Sequence, residues 1–350
     1  MPTFTAATLE SFAQTLMTAG GASSEEATCV AASLIGANLR GFDSHGVMRI
    51  PFYLDRVKTG DIQSGVELSV LNETPASLAT DANWGFGQLQ ATRLTQQLID
   101  RASKSGSAIG TMIHSSHIGR VGQFCEMAAE AHMISLIMAN THGVARRVAP
   151  PGGTAPRLGT NPLAMGVPYQ DGPIILDFST SVTAEGKVRV KKIAGERVPE
   201  GWLLDSDGQP TTDPNDLYAD PPGTILPMGG TQTYKGFGLA LMIDIFAGAL
   251  SGGLCARETP ITPHGNCVFM MIANPQLFGG VDHFDEQVKQ VNDFVRNCPR
   301  VAGVDQITLP GDPERSIFQR LSKDGITLDD ENWQQLVDLA AKLEVATPAG

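Results

Sequence analysis

Three short apolar runs in the middle of the chain, 107–113, 135–139 and 174–178, restrict what this sequence can fold into. Each is too short for a helix and is bounded by polar or turn-forming residues, so each reads as a buried strand. A helical stretch over 123–131 separates the first two. Strands interleaved with helices indicate an α/β sheet with covering helices. Both ends of the chain read as helical. Thr5 can cap a helix with Leu9, Phe12 and Leu16 on one face, and Ser23 with Glu26 is a capping-box pattern opening a second helix that runs to Leu39 and stops at Gly41. Asp312-Pro313-Glu314 and Thr327-Leu-Asp-Asp330 open two more, and the last residues, 347–350, are expected to fray. No domain boundary stands out. The expectation is a single interleaved unit over 1–350, with helical residues 1–75, an α/β part 76–280, and C-terminal helices 281–350 packing back on the N-terminal part.

Composition excludes several classes. The formal charge is -12, against the basic face that a nucleic-acid binder needs. The five cysteines, Cys29, Cys125, Cys255, Cys267 and Cys298, include no C-x-x-C pair, so neither a metal site nor a disulfide framework is expected. The N-terminus has no basic and apolar leader pattern, which points to the cytoplasm. Residues 236–253 are nearly uncharged, but they carry Asp244 and several glycines, so they read as a buried helix with a close contact and not as a membrane span. Residues 191–227, dense in Asp, Gly, Pro and Thr, read as a long irregular excursion. Standard nucleotide motifs are missing: Gly85-Phe-Gly87 lacks the third glycine of the dinucleotide fingerprint and follows Asp81-Ala-Asn-Trp84, a poor strand, and there is no P-loop.

Five clusters could carry chemistry. In the first, Ser44, His45 and Arg49 follow a helix stop. His45 can exchange a proton near neutrality. Arg49, four residues on, shares its face if the segment turns helical, and could clamp a carboxylate beside a reacting carbonyl. The plain alternative is a surface turn with a solvated arginine. The second, residues 114–122, follows a strand and precedes a helix; its glycines expose N–H groups and Arg120 adds charge, as a phosphate site would; the plain alternative is an ordinary turn with exposed histidines. Thr160 and Asn161 offer uncharged polar groups in the third, and Asp177-Phe-Ser-Thr-Ser181 with Glu185-Gly186-Lys187 forms the fourth. In the fifth, Lys235 opens the apolar helix, where a cation opposes the helix dipole unless an anion binds.

Nine blocks in order carry a resemblance: Ser44-His-Gly-Val-x-Arg-Ile-Pro-x-Tyr53, His117-x-Gly-x-x-Gly122, Gly159-Thr-Asn-Pro-Leu-Ala164, Asp177-Phe-Ser-Thr-Ser181, Gly186-Lys187, Pro199-Glu-Gly-Trp202, Pro210-Thr-Thr-Asp-Pro214, Lys235-Gly-Phe-Gly-Leu-Ala240 and Leu309-Pro-Gly311. Over about residues 5 to 345 the chain is similar to the type 2 malate/L-lactate dehydrogenases, whose relatives include ureidoglycolate and sulfolactate dehydrogenases, diketogulonate reductase and piperideine-2-carboxylate reductase. The resemblance implies a non-Rossmann, sulfolactate dehydrogenase-like α/β fold with a mixed sheet. It also implies a homodimer using NAD or NADP on a small anionic 2-oxo or 2-hydroxy acid, without nucleic-acid or membrane partners.

By the same resemblance, His45 is the proton donor, Ser44 its relay partner, and His117 the competing acid/base. Arg49, Thr160, Glu185 and Gly186 contact substrate. His117, Ile118, Gly119, Arg120, Val121, Asp177, Phe178, Ser179, Tyr234, Lys235, Gly311 and Asp312 contact cofactor. Arg120 stands where the family commonly has a small residue. Imine-reducing relatives carry Gly-Asp where this chain has Gly186-Lys187, which favours a 2-oxo acid over a cyclic imine carboxylate. A non-catalytic nucleotide-binding protein is the alternative of another class.

Overall fold

The computed structural model describes residues 1–259 and 261–348; Ala349 and Gly350, within the stretch expected to fray, lie outside the described residues. In chain order the elements are β1 (Thr3–Phe4), α1 (Ala6–Ala19), α2 (Ser24–Leu39), α3 (Ile50–Thr59), β2 (Ser69–Thr74), β3 (Ser77–Asp81), α4 (Gly87–Ser105), β4 (Ser107–Ser115), α5 (Gly122–Glu130), β5 (Ile134–Ala139), β6 (Pro162–Val167) and β7 (Ile174–Ser179). There follow α6 (Glu185–Ile193), β8 (Leu203–Leu204), β9 (Pro210–Thr211), β10 (Thr224–Ile225), α7 (Thr233–Asp244), β11 (Asn266–Ala273), α8 (Val281–Arg296), α9 (Asp312–Asp324), β12 (Ile326–Thr327) and α10 (Asp330–Lys342).

The N-terminal helices form as their sequence dictates. Thr5 accepts the Thr8 N–H, and Leu9, Phe12 and Leu16 are buried. The Ser23–Glu26 capping box is closed in both directions. Glu26 also accepts from Ser64 Oγ at 2.6 Å and Gly65 N–H at 2.8 Å, fastening α2 to the loop after α3. Burial works to raise its carboxyl, but these hydrogen bonds outweigh it and hold the pKa below the ordinary value.

Seven strands make one mixed sheet in the order β2-β3-β4-β11-β5-β6-β7. Only β3 and β4 run parallel, joined by the crossover helix α4; the other pairings are antiparallel. The three expected strands are present as β4, β5 and β7. The sequence reading missed β2, β3, β6 and β11. β2 is exposed along its whole length and gives no apolar signal. β6 begins at Pro162 and contains Gly166, both poor strand formers. β11 is enclosed on both sides, so its Met-rich run shows no alternation. Of the poor strand at 81–84, Asp81 ends β3 and the rest is the turn after it. A Cβ on Gly87 would stand 2.3 Å from the Ser116 carbonyl oxygen and 2.6 Å from that of His117. This glycine therefore lets α4 approach the 116–117 backbone and is not part of a phosphate cradle.

One sheet face is covered by α4 and α5, with Leu94, Leu98 and Phe124 packed on Met112, Ile137 and Met270. The other is covered in part by α7, where Ile243 meets Met138, Leu163 and Phe269. The buried helix expected over 236–253 is shorter than the sequence suggests. Its α-helical part ends at Asp244, a π-turn follows over Ile245–Ala249, and Leu241, Met242, Ile245 and Leu250 are exposed. Asp244 itself is buried and accepts from Asn140 Nδ2 at 3.2 Å, Asn161 Nδ2 at 3.4 Å and Ala256 N–H at 2.8 Å. Among the described residues no helix is long and apolar enough to cross a membrane.

The 191–227 stretch is more ordered than an irregular excursion: β10, β8 and β9 pair antiparallel over a small core of Val188, Val198, Leu203 and Leu217. At the chain's ends β1 pairs with β12, and Trp333 of α10 packs on Phe4 and Phe12 at ring-centroid distances of 4.7 and 5.8 Å. First and last helices thus share one core. By contrast α8 buries only Asn292 and sits apart from it. Substituting Asp244→Ala leaves the Ala256 N–H without its acceptor and takes one acceptor from each of two buried amides. These keep only backbone carbonyls, those of Leu254 and residue 244 for Asn140 and that of Ala240 for Asn161. The expected loss is about 3 kcal/mol, read as a lower urea midpoint with unchanged slope.

Candidate active site

The chain leaves α2 through Gly41, at φ +79°, and enters two 3-10 turns, Asp43–His45 and Val47–Arg49. Asn38 at the end of α2 holds them: its Nδ2 donates to Asp43 Oδ1 at 2.8 Å and its Oδ1 accepts the Val47 N–H at 2.9 Å. A Cβ on Gly46 would lie 2.2 Å from that Asn38 oxygen, so a side chain at 46 would break the brace. Within the turn, Ser44 Oγ meets His45 Nδ1 at 3.0 Å, and Arg49 Nε donates to the Ser44 carbonyl at 2.6 Å.

The turn between β4 and α5 brings His117 to the same place. The two imidazoles stack with centroids 5.4 Å apart and planes at 27°. Tyr53 on α3 places its hydroxyl 2.8 Å from His117 Nδ1, and Gln88 Nε2 on α4 donates to the Tyr53 oxygen at 2.8 Å. With the amide donating to the phenol oxygen, the phenol proton turns to Nδ1 and Nε2 of His117 is the N–H. The start of α6 closes the other side: a Cβ on Gly186 would stand 3.2 Å from Ser44 Cβ, and Glu185 accepts the Tyr218 hydroxyl at 2.7 Å. Residues predicted from scattered blocks, Ser44, His45, Arg49, His117, Glu185 and Gly186, therefore cluster. Tyr53 and Gln88 complete the cluster without having been assigned a role. Tyr53 was legible as the residue four after Arg49 on one helix face; Gln88 carried no signal.

Burial dominates the electrostatics. It pushes His45 down to about 4, with the Arg49 and Arg120 charges adding to it. His117, buried more completely, lies well below its ordinary range, again with Arg49 and His45 contributing. Tyr53 is driven up to about 12 by burial and keeps its proton. Both histidines are neutral at pH 7.

A cavity of about 840 Å³ is lined by Phe42, which leads into the Ser44–His45 turn, by Arg120, whose charge acts on His45, and by Asp177, Gly311, Arg315 and Phe318 among others. Burial raises the Asp177 carboxyl, which accepts the Gly122 N–H at 2.7 Å. Of the residues expected to meet a cofactor, Arg120, Asp177 and Gly311 line this space. The others lie elsewhere. Ile118 and Val121 point into the core under α5, while Gly119, at φ +78°, faces Ser33 and Gln88. Phe178, alternating with Asp177 along β7, packs on the α7 side. Ser179 bonds with Ser181. Tyr234 and Lys235 are exposed at the first turn of α7. Asp312 pairs with Arg296 and Arg315 and caps the Leu309 N–H. Arg120, expected as a free positive charge, is buried and paired with Glu126 at 2.6 Å. Thr160 is half-buried, its carbonyl accepting the Thr180 N–H and hydroxyl.

A family model described as malate/L-lactate dehydrogenase matches residues 4–337. The chain belongs to the malate/L-lactate dehydrogenase family. It is 36% identical over 345 residues to hydroxycarboxylate dehydrogenase B of Escherichia coli K12, covering 97% of this chain and 94% of that protein. It is 33% identical over 344 residues to malate dehydrogenase of Pyrococcus abyssi, covering 96% and 94%. The structure of malate dehydrogenase from Entamoeba histolytica superposes with a TM-score of 0.92 at 26% identity, covering 99% of each chain. The mixed seven-stranded sheet is this family's fold, which accounts for the absent dinucleotide fingerprint.

Two outcomes test the site. Because His45 in the folded chain resists the proton that it accepts at 6.5 when unfolded, its contribution is complete above pH 6.5 and is lost as the pH falls toward 4. Stability measured by urea unfolding falls over that window, and less steeply in His45→Asn. Tyr53→Phe frees His117 Nδ1 and unlocks the tautomer. The fold is retained by circular dichroism, while kcat with a turned-over 2-oxo acid drops by about a hundredfold.

Proposed function

We propose that this chain is an oxidoreductase that interconverts a small 2-hydroxy acid and its 2-oxo acid with NAD or NADP. The observation that carries this reading is the arrangement of Arg49 beside two stacked, neutral imidazoles, next to a cavity of about 840 Å³. Sites for extended organic ligands are of this size. Arg120, Asp177 and Gly311 would hold the dinucleotide there, and the left-handed backbone of Gly311, 3.1 Å from the Ile175 nitrogen at its virtual Cβ, keeps that wall free of a side chain. When bound, the nicotinamide supplies or takes the hydride at the substrate's C2.

The chain's own groups do the rest. Arg49 holds the substrate carboxylate. In reduction His45 takes up a proton from solvent, favoured once a bound carboxylate offsets the Arg49 charge, and passes it to the carbonyl oxygen; in oxidation the neutral imidazole takes it from the hydroxyl and releases it to solvent. Between the two histidines the proton transfer falls to His45, because it shares its turn with Arg49, whose guanidinium is tied to the Ser44 carbonyl. Ser44 orients His45 through Nδ1, and His117, fixed by Tyr53, donates from Nε2 to the same substrate oxygen.

The active form in this reading is a homodimer. A row of cross-strand neighbours, Ile109, Met271, Leu136, Met165 and Leu176, runs over five strands on the face that α7 covers only in part. Ile109, Met165 and Leu176 remain 37 to 41% exposed, as are Leu241 and Met242 of α7 at 43 and 47%. A contiguous apolar face of this kind favours a partner copy. Met165→Glu is expected to shift the protein from dimer to monomer in sedimentation.

His45→Ala is expected to lower kcat by at least about a hundredfold while cofactor still quenches or enhances fluorescence on mixing. Arg49→Lys loses the bidentate fork and raises KM for 2-oxo acids about tenfold or more. A panel of 2-oxo acids and a cyclic imine carboxylate, each with NADH and NADPH and followed at the nicotinamide absorbance band, tests the reading. Cofactor binding without turnover of any of them would favour a non-catalytic module, and turnover of the imine alone would favour the imine reductase.

A further inference from the structure

The charges that line the large cavity bear on which of the two dinucleotides it accepts. NAD and NADP share their pyrophosphate and differ only at the 2′ position of the adenosine ribose, a hydroxyl in one and a phosphate in the other. A site built for the second offers that phosphate a cation that nothing else holds.

Arg40, Arg120, Lys289 and Arg315 line this cavity, and each is already held. Arg40 Nε lies 2.9 Å from Glu126, its Nη1 donates to the Gly36 carbonyl at 3.0 Å, and its guanidinium rests 4.8 Å from the Phe318 ring centroid. Arg120 closes on the other oxygen of Glu126 at 2.6 Å. A second carboxylate stands beside it: a Cβ on Gly122 would lie 2.7 Å from Arg120 Nη1 and 2.9 Å from Asp177 Oδ2. Arg315 donates to the Pro173 carbonyl at 2.9 Å and to Asp312 at 2.7 Å, which fastens α9 over the start of β7. Lys289 meets Asp293 at 2.6 Å and has Asp285 and Glu286 one turn before it on α8.

The remaining charge on the walls is negative. Glu130, Asp285, Glu286 and Glu314 line the cavity too, and among the described residues none of them makes an ion pair. With Glu126 and Asp177 they bring six carboxylates against four cations, or against five with His132 counted as one. Glu314 is half-buried on the α9 wall, three residues after Gly311. Asp285 and Glu286 stand on the α8 wall.

We infer that these walls select NAD over NADP. A 2′-phosphate adds up to two negative charges to a space whose cations are taken, whereas a 2′-hydroxyl is a donor that a carboxylate accepts. The pyrophosphate is common to both, so the charge balance acts on their difference. The selection rests on the proposed oxidoreductase reading, which places the dinucleotide in this cavity. Glu314, Asp285 and Glu286 touch no reacting atom in it and act on specificity alone.

Titration with NADH and NADPH, followed by nicotinamide fluorescence, reads the preference without turnover. Calorimetry with 5′-AMP and adenosine 2′,5′-bisphosphate reads it on the adenosine half. Wild type is expected to bind NADH at least about tenfold more tightly than NADPH, with the same order for the two halves and a margin that shrinks as salt is raised. Glu314→Gln is expected to narrow the margin about threefold, and Glu314→Gln with Asp285→Asn and Glu286→Gln about tenfold, through tighter NADPH binding at unchanged NADH binding. Equal affinity for the two dinucleotides, a preference for NADPH, or a margin that neither variant narrows overturns the selection and leaves the parent reading standing. Binding of none of the four ligands defeats the parent reading and the selection with it.

Discussion

The site exists because one turn, between β4 and α5, is gripped from three sides. Ser116 Oγ accepts the Gly87 N–H at 2.8 Å, which docks the start of α4. The Ile118 N–H is held at 3.1 Å by Asn266, the first residue of the central strand, whose amide also donates to the Asn140 carbonyl. His117 is tied to α3 through Tyr53. Each grip uses a buried polar group that would be costly to leave unpaired, so the three are enforced together. The histidine position therefore depends on the packing of α3 and α4 and on the sheet, not on the turn's own preferences.

The same logic runs through the surrounding charges. Arg120 and Arg40 both close on Glu126, at 2.6 and 2.9 Å, so the cavity they line is bordered by cations already matched. Around Arg49 the balance is different, and there the unmatched charge faces the stacked histidines. With an overall charge of -12, attraction of an anionic substrate has to come from this local surplus and not from the whole molecule's field.

How much of this was legible in the sequence follows from how local each cause is. Capping at Thr5, Ser23 and Glu26 is decided within four residues, and the starts of those helices were readable to the residue. Ser44, His45 and Arg49 lie within one turn, so their proximity could be read from spacing. That His117, Glu185 and Gly186 join them came only from a resemblance spread over the whole chain, since sheet topology brings them in from elsewhere. Gln88 was invisible because its role depends on where α4 starts, which Gly87 sets by close approach to a backbone about 30 residues away. The fate of Phe178 was missed for the opposite reason: strand alternation turns it away from Asp177, but the strand's two faces could not be labelled without the sheet. Arg120 read as a free cation because its partner Glu126, six residues on, becomes a neighbour only when α5 folds back on the turn.

The position of β11 governs how the chain can acquire this structure. It is inserted between β4 and β5, yet it lies about 130 residues beyond β5 in the sequence. As the chain emerges during synthesis, β4 and β5 wait with their facing edges open until residues 266–273 arrive. Their pairing closes loops of well over a hundred residues, a topology that slows folding and leaves apolar strand edges available to wrong partners in the meantime. The turn that carries His117 is locked by Asn266 at the head of this late strand. Assembly of the active centre is accordingly among the last events of folding, and a nascent chain released before β11 would carry His45, Arg49 and His117 without the means to hold them together.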